Sequence, residues 1–221
     1  MTDAATRLRT IRQRVADAAR IARRDPGEVE LIAVSKTRSP QEIEALIAAG
    51  QRTFGESRVQ EAEAKWPALR QRHEGLSLHC IGRLQSNKAE AAVRLFDVIH
   101  SLDRPSLLTA LVHAADGAGR FPEVYVQVNI GEEEQKGGVP IAELPTLLEA
   151  VRTSPLPLAG LMAIPPLGVE PSPYFALLAK LARRHGVTGL SMGMSGDYRA
   201  AVLLGATALR VGTALFEDGL R

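Results

Sequence analysis

Eight short apolar runs, separated almost everywhere by helical periodicity, govern what this 221-residue chain can become. The runs lie at 30–35, 52–54, 78–81, 97–101, 123–129, 158–163, 188–191 and 207–211. Helical patterns lie between them at 40–49, 57–72, 87–95, 104–116, 141–153, 172–185 and 197–204. Strands joined through helices pair in parallel, because a parallel neighbour needs a crossover connection. Eight such units in this length favour a closed barrel over an open doubly wound sheet. The expected fold is therefore α/β, a (β/α)8 TIM barrel with an additional N-terminal helix. That helix is read over 4–24, where Leu8, Ile11, Val15, Ala18, Ala19 and Ala22 form an apolar stripe and Asp25-Pro26-Gly27 ends it. No linker or low-complexity segment divides the chain, so residues 1–221 are expected to form a single domain.

Composition excludes several classes of function. The 45% hydrophobic and 24% charged residues describe a globular chain with a full core. Net charge is +2 with the signs interspersed, so no basic stripe argues for nucleic acid; Arg7, Arg9, Arg12 and Arg14 read as a solvated helix face. No apolar run reaches the ~20 residues of a membrane span. Cys80 is the only cysteine, which rules out an internal disulfide and fits a reducing compartment. With no apolar signal-peptide core at the N-terminus, the expected location is the cytoplasm.

Polar and small residues gather just after the strands: Ser35-Lys36-Thr37, Gly55-Glu56-Ser57-Arg58, Gly82 to Gln85, Ser101 to Asp103, Asn129 to Gly138, Ile164 to Pro166, Met192 to Gly196 and Gly212-Thr213. TIM barrels carry their ligands at this carboxyl face. Lys36 follows the first run, and only five of the 27 cationic side chains are lysines. Partly desolvated at a strand exit, its amine is a nucleophile for an aldehyde; taken alone, a solvated lysine explains it as well. In the last two loops, glycine backbone and the Ser195 and Thr213 hydroxyls suit an anion. Barrels often bind phosphate there. The alternative, Ser195 as a helix cap and Gly212 as a turn, stays open at this point, and Asp197 would repel a phosphate unless turned outward. Strands one and eight are neighbours in a closed barrel. A small molecule with an aldehyde at one end and a phosphate at the other would span the two features, and pyridoxal 5′-phosphate (PLP) is such a molecule.

The segments Leu31–Lys36, Phe54–Glu61, His79–Lys88, His100–Asp103, Gln127–Val139, Gly160–Pro166, Leu190–Asp197 and Arg210–Phe216 resemble, in order, the motifs of the YggS/PROSC family of PLP homeostasis proteins. That fold is similar to the barrel domain of bacterial alanine racemase. The resemblance implies that Lys36 holds PLP as a reversible Schiff base. It places Ser195, Gly196, Gly212 and Thr213 at the phosphate, Arg210 at the pyridine nitrogen and Ser57 near the cofactor. It implies a non-catalytic protein that buffers PLP or supplies it, with PLP-dependent apo-enzymes as partners; the chain's shortness and the absence of an obvious dimer element favour a monomer. Arginine keeps its proton, so the ring nitrogen would stay unprotonated and the cofactor a weaker electron sink. Three positions depart from the pattern: Ser57 replaces an asparagine, Cys80 an aromatic residue, and Glu217-Asp218 stand where glycine is common.

The alternative is a PLP-dependent amino-acid racemase. Racemases of this fold add a tyrosine from a further β domain, for which the chain leaves no room. Tyr125, Tyr174 and Tyr198 are not in matching context. His79 and His100 read as hydrogen-bonded core residues, Lys136 as a loop lysine, and Gln85, Asn87 and Lys88 as the start of a helix. No metal-ligand spacing occurs.

Overall fold

The computed structural model describes residues 3–133 and 135–217. Among them the strands are β1 (Glu30–Val34), β2 (Thr53–Glu56), β3 (Ser77–Cys80), β4 (Val98–Leu102), β5 (Glu123–Gln127), β6 (Leu158–Met162), β7 (Gly189–Ser191) and β8 (Ala208–Val211). All pair in parallel in sequence order, and β1 joins β8 through Glu30↔Ala208 to Ala33↔Val211, so the barrel closes. The helices are α1 (Ala4–Ile21), α2 (Pro40–Ala48), α3 (Val59–Arg72), α4 (Ala89–Leu95), α5 (Pro105–Ala118), α6 (Leu144–Arg152), α7 (Ser172–Arg184), α8 (Tyr198–Leu203) and the short α9 (Thr213–Phe216).

Local chemistry explains the boundaries. Asp3 accepts the Thr6 amide at 2.6 Å and caps α1, whose buried Leu8, Ile11, Val15, Ala18 and Ala19 pack towards α2, α8 and α9. Ser39 and Glu42 form a capping box at α2 with Pro40 in its first turn. At the end of α5, Gly119 takes φ +61° to satisfy carbonyls of the last turn. Several sequence expectations shift: α1 ends at Ile21 rather than at 24, and β5 at Gln127 rather than at 129. Gly55 and Glu56 belong to β2 rather than to the following loop, because they pair with His79 and Cys80 of β3. The starts expected at 87 and 141 are 3-10 turns, Ser86–Lys88 and Ile141–Glu143, and Gln85 and Lys88 make no side-chain cap bonds.

Alternation along each strand then sorts the side chains. Phe54 and Glu56 of β2 point outward beneath α3, where the fully buried Trp66 stands 5.2 Å from the Phe54 ring and donates from Nε1 to Glu56. Ile32 registers with Arg210 and Gly55 with His79, so these positions face the barrel axis. Residues 34, 36, 57 and 212 continue that inward parity to the carboxyl mouth.

Candidate functional site

At the mouth a cavity of about 360 Å³ is lined by Val34, Lys36, Thr37, Arg38, Ser57, Ile81, Ile164, Met194, Ser195, Gly196, Arg210, Gly212 and Thr213. Its volume lies in the ~300–1,000 Å³ range of small-molecule sites. All the site residues read from the sequence meet there; Val34, Thr37, Arg38, Ile81, Ile164 and Met194 join them, of which Thr37, Ile164 and Met194 stand in loops the sequence had singled out. Three cations line the cavity and no carboxylate does.

Lys36 is exposed at the rim. Its backbone is far from free. Arg38 N donates to Ser35 O at 3.1 Å, closing a turn in which Thr37 has φ +62°. Positive φ at the third residue alone is the type II pattern, which favours glycine or asparagine. A β-branched residue there is strained, by roughly 1–3 kcal/mol. The surroundings hold it: Glu61 Oε1 accepts the Thr37 amide at 2.5 Å, and Lys65 Nζ donates to Ser35 O at 2.9 Å and more weakly to Arg38 O at 3.4 Å.

Across the cavity, Ser195 does not cap α8, whose N-cap position is Asp197. Its Oγ instead accepts the amides of Gly212 at 3.2 Å and Ala214 at 3.5 Å, tying the β7 exit to the β8 exit. A side-chain carbon at Gly196 would stand in open space, and one at Gly212 would meet Val34 Cβ at 3.4 Å. Asp197 Oδ1 is taken up by the Met194 amide at 2.5 Å and does not line the cavity. Glu217 is exposed and pairs with Arg38, which also lies over the Phe216 ring at 5.2 Å; Asp218 lies outside the described residues. Cys80 is buried, its thiol pushed up to about 12 by that burial, and packs as an inert side chain.

Arg210, 4% exposed, forms the floor. It donates from Nη1 to Ser191 Oγ at 2.5 Å and from Nη2 to Ala163 O at 2.9 Å. The chain continues from Ser191 to His100 Nδ1 at 2.8 Å, from His100 Nε2 to His79 Nδ1 at 3.0 Å, and from His79 Nε2 to Ser77 Oγ at 3.0 Å. With Arg210 donating first, each neutral histidine passes one hydrogen onward, and every nitrogen is satisfied. Burial pushes Arg210 down to about 10, opposed by Asp197 and Tyr125, so it stays a cation at neutral pH.

The same burial makes the core acid-sensitive. Desolvation drives His79 down to about 4, against the pull of Asp97, and holds His100 well below its usual value with His79 and Arg210 adding to the effect. Unfolded histidines take up protons near pH 6.5; folded His79 refuses its proton down to about pH 4, and His100 stays neutral well below its usual range, so stability falls as pH drops below 6.5. His79 alone accounts for about 3 kcal/mol of that loss. Urea denaturation of wild type and His79→Gln at pH 7 and pH 4 should show the variant losing less; equal losses would refute this source of acid sensitivity.

Lys136 pairs with Glu133 of its own loop at 2.7 Å and reaches Pro165 O on the loop after β6 at 3.5 Å. Among the described residues no cluster of metal ligands occurs and no helix is long and apolar enough to cross a membrane.

A parallel barrel with a lysine at its first strand exit and an acid-free, hydroxyl- and amide-lined rim opposite is the alanine racemase type of barrel, and the model of the alanine racemase N-terminal domain family matches residues 7–218. Within that class the chain belongs to the pyridoxal phosphate homeostasis proteins. It is 41% identical over 205 residues to the one from Synechocystis sp., covering 88% of this chain and 94% of that one. It is 39% identical over 229 residues to the one from Escherichia coli K12, covering 98% and 97%. PipY of Synechococcus elongatus, solved with PLP bound, is 41% identical with a TM-score of 0.79, over 91% of this chain and 99% of that one. An alanine racemase of Clostridium difficile shares the fold at 12% identity and a TM-score of 0.70; the match spans 57% of that enzyme.

Proposed function

We propose that this chain binds pyridoxal 5′-phosphate at the barrel mouth and serves PLP homeostasis inside the cell. The observation that carries this is the acid-free cationic cavity, with a lysine amine on one side and hydroxyl and amide donors on the other. Those residues fit the cofactor. Ser195, Gly196, Gly212 and Thr213 would hold the phosphate, Arg210 the ring nitrogen, Lys36 the aldehyde carbon, and Ser57 would contribute a hydroxyl where the family has an amide. Bound there, the group supplies an aldehyde that condenses reversibly with amines.

The chain's own residues favour holding the ligand over turning it over. Arg210 is a retained cation and donates no proton. Among the described residues none of Tyr125, Tyr174 and Tyr198 lines the cavity beside Lys36. We read the chain as a cytoplasmic, monomeric carrier that buffers PLP and supplies it to apo-enzymes, without catalysis of its own. Borohydride reduction of PLP-loaded protein followed by peptide mass spectrometry should place a phosphopyridoxyl group on Lys36, and incubation with L-alanine should yield no D-alanine. A label elsewhere would overturn the site, and steady racemisation the non-catalytic reading.

A further inference from the structure

The turn that carries Lys36 is gripped by three side chains that never enter the cavity. Lys65, on α3, sends its ammonium to the carbonyls of Ser35 at 2.9 Å and Arg38 at 3.4 Å, the two ends of the turn. The same ammonium pairs with Glu56 Oε1 and Glu61 Oε1, each at 2.8 Å. Glu56 in turn accepts Ser35 Oγ at 2.8 Å, and Glu61 accepts the Thr37 amide at 2.5 Å. Glu56 is wholly buried and the Lys65 side chain 10% exposed, so these bonds form where water competes little. Lys36 therefore has both its neighbours fixed to one buried ionic network, with Thr37 held in a conformation it would not choose alone.

We infer that Lys65, Glu56 and Glu61 act as a positioning unit that sets where the Lys36 amine stands for covalent capture of an aldehyde. This rests on the proposed PLP site and adds to it residues that touch no ligand. Capture forms a C=N bond between the Lys36 nitrogen and the aldehyde carbon and expels the aldehyde oxygen as water, so it depends on where that nitrogen points. Anchoring of the phosphate across the rim does not. A loosened turn should therefore weaken covalent capture selectively.

The test compares two probes on the full chain: pyridoxal 5′-phosphate, which has the aldehyde, and pyridoxine 5′-phosphate, which has an alcohol in its place. Glu61→Ala removes the Thr37 acceptor and Lys65→Met the clamp on the carbonyls; each should slow capture of the aldehyde by about tenfold or more, since small misplacements of a reacting group have large effects. Binding of the alcohol should change less than about twofold, and Glu61→Gln, which keeps an acceptor, should recover most of the capture rate. Should Lys65→Met not fold, Glu61→Ala decides. Equal weakening of both probes, or unchanged capture in Glu61→Ala, would overturn the inference. Wild-type protein that shows no Lys36-dependent capture would instead overturn the PLP site.

Discussion

Lys36→Ala should fold as well as the parent chain and lose all covalent retention of pyridoxal 5′-phosphate. Lys36 is exposed at the rim, so its truncation should alter stability by no more than about 0.5 kcal/mol. No other lysine can take over. Lys65 is locked in the Glu56–Glu61 network, Lys136 is engaged by Glu133 and Pro165 O, Lys88 lies in the groove outside α3 and α4, and Lys180 is exposed on α7. The variant should still bind the phosphorylated ring weakly, because the Ser195 and Gly212 side of the cavity is untouched. Gel filtration should then strip it completely, whereas the parent keeps its ligand. Lys36→Arg should behave like alanine in this assay, since a guanidinium remains protonated and does not attack a carbonyl. Reduced, covalently labelled Lys36→Ala protein with the stoichiometry of the parent would show that another amine does the work.

Much of this site could be read from the sequence because the barrel turns order along the chain into position. Each strand was found within about two residues, and period-two alternation sends Lys36, Ser57, Arg210 and Gly212 to the same face once the strands pair. The side proposed for the phosphate was legible as small and hydroxyl residues after the last two strands, although the sequence left open whether Ser195 capped a helix. Tertiary structure decides that point: Ser195 reaches the amides of Gly212 and Ala214 on a different loop. The support beneath Lys36 was not legible. Glu61 and Lys65 stand four apart on α3, which from sequence reads as an ordinary helix-surface pair. Only the docking of α3 over β2 turns that pair inward to the Lys36 turn. Nor does any residue type signal the turn itself, since Thr37 occupies a position where glycine or asparagine is the usual sign. The burial of Glu56 was hidden for a related reason: a glutamate ending a short strand reads as a solvated loop residue until the β3 register is known.

That docking of α3 gives the largest expected effect on stability. Trp66 is the chain's single tryptophan and is fully buried between α3 and the outer face of β2. Trp66→Ala opens a cavity beside Phe54 and should cost about 3–5 kcal/mol, a large share of the ~5–15 kcal/mol that holds a domain folded. It also removes the Nε1 donor that Glu56 Oε1 receives at 3.1 Å. Glu56 Oε2 is already buried without a partner among the described residues, so the carboxylate would be left with Lys65 and Ser35 alone. Thermal unfolding should move down by roughly 6–20 °C in a chain of this size. Trp66→Phe separates the two contributions, because it keeps most of the packed volume and loses only the hydrogen bond; its cost should be about 1–3 kcal/mol. The ligand site should register the change too: with Glu56 less firmly held, Ser35 loosens, and capture of the aldehyde at Lys36 should slow in Trp66→Phe even where the protein stays folded. A Trp66→Ala protein within about 1 kcal/mol of the parent in urea denaturation would mean that α3 does not depend on this contact, and that the grip on the Lys36 turn has another origin.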